Sequence, residues 1–142
     1  MIGVRFLILE WYAMERRYLD FVRVKAVDKK GLDKALLRYV ERTVQEHPEV
    51  VAIILYGSFP KGTFTPQSDI DLLIVLKESR EGILDRIPHF LDLYLPFPSD
   101  VLPYTVGELR RLFERSSKFK NEILSSGQIL FGGKAFDRLF KG

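Results

Sequence analysis

The chain has 142 residues, of which 46% are hydrophobic and 29% are charged. This composition is typical of one globular domain with a buried core and excludes a disordered chain. The chain contains no cysteine, which excludes disulfides and a thiolate metal site. Its formal net charge of +3 is too small to indicate a nucleic-acid partner. No apolar run approaches the roughly 20 residues of a membrane span, so we expect a cytoplasmic protein without a membrane segment.

Residues 1–30 are expected to form an N-terminal extension that packs on the following domain. Alternating side chains over Val4–Leu9 allow an edge strand, and apolar residues near helical spacing allow a helix over Glu10–Val22. Tyr18–Val27 allows a strand instead. The basic and aromatic residues of this stretch also fit a nucleic-acid surface, but they favour a solvated face over a packed aromatic stripe. A docking surface for a partner or for a second copy of the chain is a further alternative.

Residues 31–142 are expected to form one domain of the α/β (α+β) class, with a small mixed sheet flanked by helices. Apolar residues three and four apart predict a helix over Leu32–Glu46. The apolar, β-branched run Val50–Tyr56 then predicts a buried strand.

Gly57 and Ser58 follow this strand and fit a loop that binds an anion. Gly57 has no Cβ, so its backbone can approach a ligand closely. Ser58 is a favourable N-cap for a short helix that tolerates Pro60 in its first turn, and Gly62 is expected to end that helix. Its N-terminus would direct free N–H groups at a phosphate, and the Ser58 hydroxyl and the Lys61 ammonium would add contacts.

Asp69 and Asp71 are two residues apart at the start of a second apolar run, Leu72–Leu76. On a strand this spacing places both carboxylates on one face, and the other face is expected to be apolar core. Neighbouring carboxylates repel each other, and a divalent cation would relieve that repulsion. Oxygen ligands without histidine or cysteine suit Mg²⁺ or Mn²⁺. Alone, the pair also fits a solvated strand start. Beside a phosphate-binding loop, it predicts phosphoryl or nucleotidyl transfer.

Gly57-Ser58, ten further residues and then Asp69-Ile70-Asp71 resemble the signature of the DNA polymerase beta-like nucleotidyltransferase superfamily. The short chain is similar to the minimal nucleotidyltransferase branch of that superfamily. The resemblance implies a palm-like fold in which Gly57 and Ser58 hold the nucleotide triphosphate. It also implies that Asp69 and Asp71 bind two Mg²⁺ ions, and that a third carboxylate on a later strand completes the site.

Two aspartates compete for the place of the third carboxylate. Asp100 opens the short apolar run Asp100–Tyr104, a predicted strand in which Pro103 indicates an edge or a bulge. Asp92 also stands in a strand-like run. We favour Asp100, because the family's third carboxylate opens an apolar strand that is followed by a turn and a helix. A capping-box sequence at Thr105 predicts that helix.

The rest of the chain is punctuated by proline, glycine and serine. In chain order we expect a loop over Thr63–Ser68, a helix over Arg80–Ile87 capped by Ser79, a connection over Phe90–Pro98, one long helix from the capping box to Leu124, a strand over Gln128–Phe131 after Gly127, and a helix over Ala135–Phe140. Pro88 is expected to end the helix that Ser79 caps, with Ile83, Leu84 and Ile87 facing inward.

The resemblance implies an enzyme that transfers AMP from ATP in a Mg²⁺-dependent reaction. Asp100 would bind one metal ion and act as base toward the acceptor hydroxyl. Minimal members are often paired with a small helical protein of the HEPN type as toxin and antitoxin, so the resemblance implies AMP transfer to such a partner. Two alternatives stay open: transfer to a small molecule such as an aminoglycoside, and a non-catalytic module that binds nucleotide and neutralises a partner. A homo-oligomer is also possible.

Overall fold

The computed structural model describes residues 29–65, 68–92, 95 and 97–141. The elements in chain order are α1 Lys29–Glu46, β1 Val50–Tyr56, α2 Ser58–Lys61, β2 Ile70–Leu76, α3 Ile83–Phe90, β3 Ser99–Thr105, α4 Val106–Arg115, α5 Ser117–Ser126, β4 Gln128–Phe131 and α6 Gly133–Phe140. The strand and helix predicted before residue 28 lie outside the described residues, so the N-terminal extension and its boundary stay predictions.

The four strands form one mixed sheet in the order β3-β2-β1-β4. Strand β1 is antiparallel to both β2 and β4, whereas β2 and β3 are parallel. This confirms the predicted mixed sheet flanked by helices. Strand β3 lies at the edge of the sheet, where Pro103 stands opposite Ile74. An edge position suits a proline because it has no N–H to donate to a second neighbour.

Helices cover both faces of the sheet and create two buried layers. The first layer lies under α1 and α3 and includes the alternating side chains Ile70, Leu72, Ile74 and Leu76. The second layer lies under α4, α5 and α6 and includes Leu73 and Val75 of the same strand. The predicted apolar face of β2 is therefore confirmed. The opposite face of β2 carries Asp71 and is apolar from Leu73 onward.

Helix α3 differs from its prediction in bounds and in its inward face. Ser79 Oγ accepts a hydrogen bond from the Glu81 amide at 3.2 Å, so Ser79 closes a turn before the helix, and Gly82 is the N-cap. Pro88 lies inside the helix. Proline has no N–H to donate to the carbonyl four residues before it, which belongs to Leu84. Leu84 is 78% exposed, so water can take the place of that donor. The same exposure shows that the expectation of an inward-facing Leu84 is wrong.

The long helix predicted after the capping box is two helices, α4 and α5. The capping box itself is confirmed: the Thr105 side chain accepts from the Glu108 amide, and the Glu108 carboxylate accepts from the Thr105 amide. Ser116 then breaks the helix with an extended backbone, and its Oγ accepts from the Phe119 amide at 3.2 Å. This second cap redirects α5 so that Ile123 packs in the layer under α4, α5 and α6.

The other predicted elements occur within a few residues of their expected bounds. The predicted bounds of β1 and β4 are confirmed, α1 begins before Leu32, and α6 begins before Ala135. None of the helices in the described ranges combines the length and apolar character needed to cross a bilayer.

Candidate active site

Two of the predicted carboxylates stand next to each other on neighbouring strands. Asp71 and Asp100 are register partners across the parallel pair β2–β3, and register partners direct their side chains to the same face of a sheet. Tyr56, the last residue of β1, stands opposite Asp71 on its other side. Asp69 precedes β2 and is exposed, so the expectation that it lies on the strand is wrong by one residue.

The glycine that follows β1 lies directly against one of these carboxylates. Gly57 has a φ of 81°, and a Cβ added to it would overlap Oδ2 of Asp71. Residues other than glycine rarely adopt such a backbone conformation. Glycine at this position is therefore explained by two observations, the positive φ and the close approach of the Gly57 backbone to Asp71.

Helix α2 follows this glycine at once. Its N-cap is Gly57, not Ser58 as predicted, and Ser58 is the first helical residue. The correction has a backbone cause, because the conformation of Gly57 turns the chain from β1 straight into the helix. Gly62 ends the helix in the left-handed conformation with a φ of 73°, and its amide donates to the Phe59 carbonyl at 3.2 Å. The predicted end of the helix is thus confirmed.

Lys61, the last residue of α2, reaches across to α5. Its Nζ lies 3.2 Å from Oε1 of Glu122. Sequence reasoning identified Lys61 as a candidate phosphate contact and did not identify Glu122. Glu122 lies sixty-one positions further along the chain, in a helix with no motif, and only the packing of α5 brings it here. Tyr56 was also missed, although it directly precedes Gly57 in the motif.

Among the described residues, carboxylates dominate the electrostatics of this end of the sheet. Burial raises the pKa of Asp71 from 3.8 to about 6, with the negative charges of Asp100, Asp69 and Glu122 adding to the shift. Burial also raises the pKa of the Tyr56 hydroxyl, again helped by Asp71, Asp100 and Glu122. The arrangement therefore favours binding of a cation, since a positive charge would favour the ionised form of Asp71.

Asp69, Asp71 and Asp100 fit a hard divalent cation by their donor chemistry. All three offer carboxylate oxygens, which Mg²⁺ and Mn²⁺ prefer. Burial and the neighbouring carboxylates raise the pKa of Asp71, and a bound cation would oppose that shift. Within the ranges that the structure describes, no three histidine, aspartate or glutamate side chains already form a group that could hold a metal ion. The fit therefore depends on the type of donor and on the register of the strands.

Asp92, the alternative third carboxylate, lies elsewhere. Its Oδ2 is 3.1 Å from Nη1 of Arg42 on α1, a helix that packs on the opposite face of the sheet from Asp71. There it lines a cavity of about 460 Å³ together with His47 and His89. The structure thus brings Asp100, and not Asp92, next to Asp71.

The chain matches known proteins over the same region. The family profile described as "Nucleotidyltransferase domain" matches residues 36–130. One Methanocaldococcus jannaschii protein assigned as a protein adenylyltransferase is 32% identical over 72 residues, which are 50% of this chain and 49% of that protein. A second such protein from the same organism is 28% identical over 102 residues, 70% of this chain and 97% of that protein.

A bifunctional uridylyltransferase/uridylyl-removing enzyme of Nitrosococcus oceani is 36% identical over 106 residues, which are 71% of this chain and 12% of that enzyme. The chain therefore spans about half of the first relative and a small part of this one.

Solved structures share the fold. A chain of a mutant MntA–HpeT toxin–antitoxin complex superposes with a TM-score of 0.53 at 20% identity, over 73% of this chain and 79% of that one. A chain from the complex of tri-AMPylated Shewanella oneidensis HEPN toxin with MNT antitoxin superposes with a TM-score of 0.51 at 16% identity, over 77% of this chain and 79% of that one. These likenesses confirm the predicted nucleotidyltransferase fold. Since the profile match covers more than half of the chain and includes Gly57, Asp71 and Asp100, this protein belongs to the nucleotidyltransferase domain family.

Proposed function

We propose that this protein transfers AMP from ATP to a hydroxyl group of a partner protein, in a reaction that depends on Mg²⁺ or Mn²⁺. The observation that carries the proposal is the pairing of Asp71 with Asp100 across β2–β3, directly against the Gly57 loop. A cation-binding pair beside a phosphate-binding loop is the equipment that nucleotidyl transfer requires.

In this proposal Asp69, Asp71 and Asp100 hold two divalent ions. When bound, these ions would lower the pKa of the acceptor hydroxyl and neutralise charge on the leaving pyrophosphate. The Gly57 amide and the Ser58 hydroxyl hold the triphosphate for in-line attack, and Lys61 adds a positive charge.

The covalent step exchanges one bond to phosphorus for another. The acceptor oxygen forms a bond to the α-phosphorus of ATP, and the bond from that phosphorus to the pyrophosphate oxygen breaks. Asp100 accepts the proton of the acceptor hydroxyl. A carboxylate is suited to this step while it is ionised, a state that a bound cation favours.

A protein acceptor is supported by the relatives. The two Methanocaldococcus jannaschii relatives are assigned as protein adenylyltransferases. The Shewanella oneidensis complex contains a HEPN toxin that carries AMP groups. We therefore propose a small helical HEPN-type partner, with this protein as the antitoxin of the pair.

The test is incubation of the purified protein with Mg²⁺, ATP labelled in the α-phosphate, and a HEPN-type protein encoded beside it. We expect the label and the mass of AMP to appear on the partner, and we expect no label from ATP carrying the tracer in its γ-phosphate. Asp71→Asn is the matched inactive control. Efficient labelling of an aminoglycoside with every protein unlabelled would favour the small-molecule alternative. Tight nucleotide binding without transfer to either acceptor would favour a binding module.

Uridylyl transfer is a second candidate, because the relative from Nitrosococcus oceani is a uridylyltransferase. The same assay with UTP in place of ATP separates the two. AMP transfer predicts that ATP is used at the higher kcat/KM.

A further inference from the structure

The ion pair between Lys61 and Glu122 joins α2, at the phosphate side of the candidate active site, to α5. We propose that Glu122 is a positioning residue: it holds Lys61 in the nucleotide-free protein and releases it to the triphosphate when nucleotide binds. This inference rests on the proposed function, because it requires that the group that Lys61 meets is a nucleotide phosphate.

The position of Glu122 supports this role. Its Oε1 lies 3.2 Å from Nζ of Lys61. Its charge also reaches the interior of the site, since it contributes to raising the pKa values of Asp71 and Tyr56. Glu122 thus contacts the lysine and also acts through its charge on Asp71. We expect this contact to hold the Lys61 ammonium near α5 before a ligand arrives.

The exposure of the pair makes an exchange feasible. The side chains of Lys61 and Glu122 are 41% and 27% exposed, and ion pairs that solvent reaches are weak. A triphosphate carries several negative charges, so it competes effectively with a single carboxylate for one ammonium group.

The exchange makes a directional prediction for nucleotide affinity. Glu122→Gln removes the competitor and one negative charge, so we expect Mg²⁺-nucleotide to bind about two- to fivefold more tightly. Lys61→Gln removes a charge-assisted contact, so we expect binding about tenfold weaker. The gain from Glu122→Gln should be smaller when Lys61 is already Gln, because there is then no lysine to release.

The experiment is a double-mutant cycle measured by titration calorimetry. The proteins are the full-length wild type, Glu122→Gln, Lys61→Gln and the double variant, and the ligand is α,β-methylene ATP with Mg²⁺, which cannot transfer AMP. Thermal unfolding verifies that each variant is folded. A merely structural role for Glu122 predicts the same change in both backgrounds or weaker binding by Glu122→Gln, and either result overturns the proposal.

Two control variants sharpen the result. Asp137→Asn removes the same charge from another ion pair, Lys141–Asp137 at 3.3 Å, and Asp137 is not among the charges that raise the pKa of Asp71. We expect it to leave nucleotide affinity unchanged. Glu122→Asp keeps the charge and should bind nucleotide more weakly than Glu122→Gln. If it binds as tightly as Glu122→Gln, the charge of Glu122 does not compete and the proposal fails.

The failure of this inference is distinguishable from that of the proposed function. If the wild type labels an acceptor with AMP while Glu122→Gln leaves affinity unchanged, the exchange is wrong and the function stands. If the cycle shows the expected coupling but no acceptor is labelled, the exchange stands and the transfer is wrong. If the wild type does not bind the Mg²⁺-nucleotide, both are wrong.

Discussion

Asp71 and Asp100 face each other across the parallel strands β2 and β3 as register partners. Their register, together with the burial of Asp71, brings two carboxylates together. Burial raises the pKa of Asp71 to about 6, and the charge of Asp100 adds to the shift. Such a site is unfavourable for the empty protein and favourable for a cation. The stability of the empty protein should therefore report on the site.

The first prediction concerns the stability of the metal-free protein as a function of pH. Since the pKa of Asp71 is raised from 3.8 to about 6, the stability that its protonated form contributes is complete below the unfolded value and is lost as pH rises through the folded value. We therefore expect Asp71→Asn to lose less stability than the wild type as pH rises from about 4 to about 7. Thermal unfolding in EDTA at a series of pH values measures this. Parallel curves for the two proteins would contradict it.

The second prediction separates the two candidates for the third carboxylate. Asp100→Ala should abolish AMP transfer, because Asp100 is the residue beside Asp71. Asp92→Ala should retain transfer, because Asp92 pairs with Arg42 on the other face. The initial rate of label transfer at saturating ATP is the measurement. If Asp92→Ala is inactive and Asp100→Ala is active, the third carboxylate is Asp92 and not Asp100.

The third prediction concerns a structural ion pair that supports the edge strand. Arg86 is buried; its Nη1 donates to Glu108 Oε1 at 2.7 Å and to the Pro103 carbonyl at 3.0 Å. Arg86→Leu would leave both acceptors without this donor, so we expect a loss of about 3 kcal/mol of unfolding free energy. The exposed Lys141→Ala should cost less than about 0.5 kcal/mol. Urea unfolding measures both, and equal costs would contradict the prediction.

Local signals explain why much of the fold and site was predictable. A capping box, a glycine that ends a helix, and a run of β-branched residues act over a few neighbours. The helix start after Thr105, the end of α2 at Gly62 and the bounds of β1 therefore follow from sequence alone. The closeness of Asp71 and Asp100 was expected only through the family resemblance, because no local signal fixes the register of two strands so far apart in the chain.

The errors arise where packing over long distances decides. Ser116 is a good cap as well as a tolerable helical residue, and the position of the sheet under Ile123 determines which role it takes. In the same way, Arg86 faces inward on α3 because it donates hydrogen bonds to Glu108 and to the Pro103 carbonyl. The periodicity of the helix contains no information on these two partners, so it predicted that the apolar Leu84 would face inward.

The last prediction tests the contact between Gly57 and Asp71 by comparing two glycines of positive φ, Gly57 and Gly62. Gly62 has left-handed angles, with a φ of 73° and a ψ of 13°, in which alanine is strained by about 1–2 kcal/mol. Gly57, with a φ of 81° and a ψ of −144°, lies in a region that is almost restricted to glycine, so alanine is more strained there. The surroundings also differ: a Cβ at Gly57 would overlap the Asp71 carboxylate, whereas a Cβ at Gly62 would meet no atom of the described residues within 4 Å apart from its chain neighbours. Both variants should lose stability from strain, Gly57→Ala more than Gly62→Ala, but only Gly57→Ala should displace Asp71.

A displacement of about 1 Å at a reacting centre lowers a rate about 100-fold. We therefore expect transfer by Gly57→Ala to fall by roughly that factor, and transfer by Gly62→Ala to remain within about threefold of the wild type, since strain alone leaves the carboxylate in place. Initial rates corrected for the folded fraction of each variant measure the difference. Equal losses in both variants would mean that the fold of α2, rather than the position of Asp71, is what Gly57 protects.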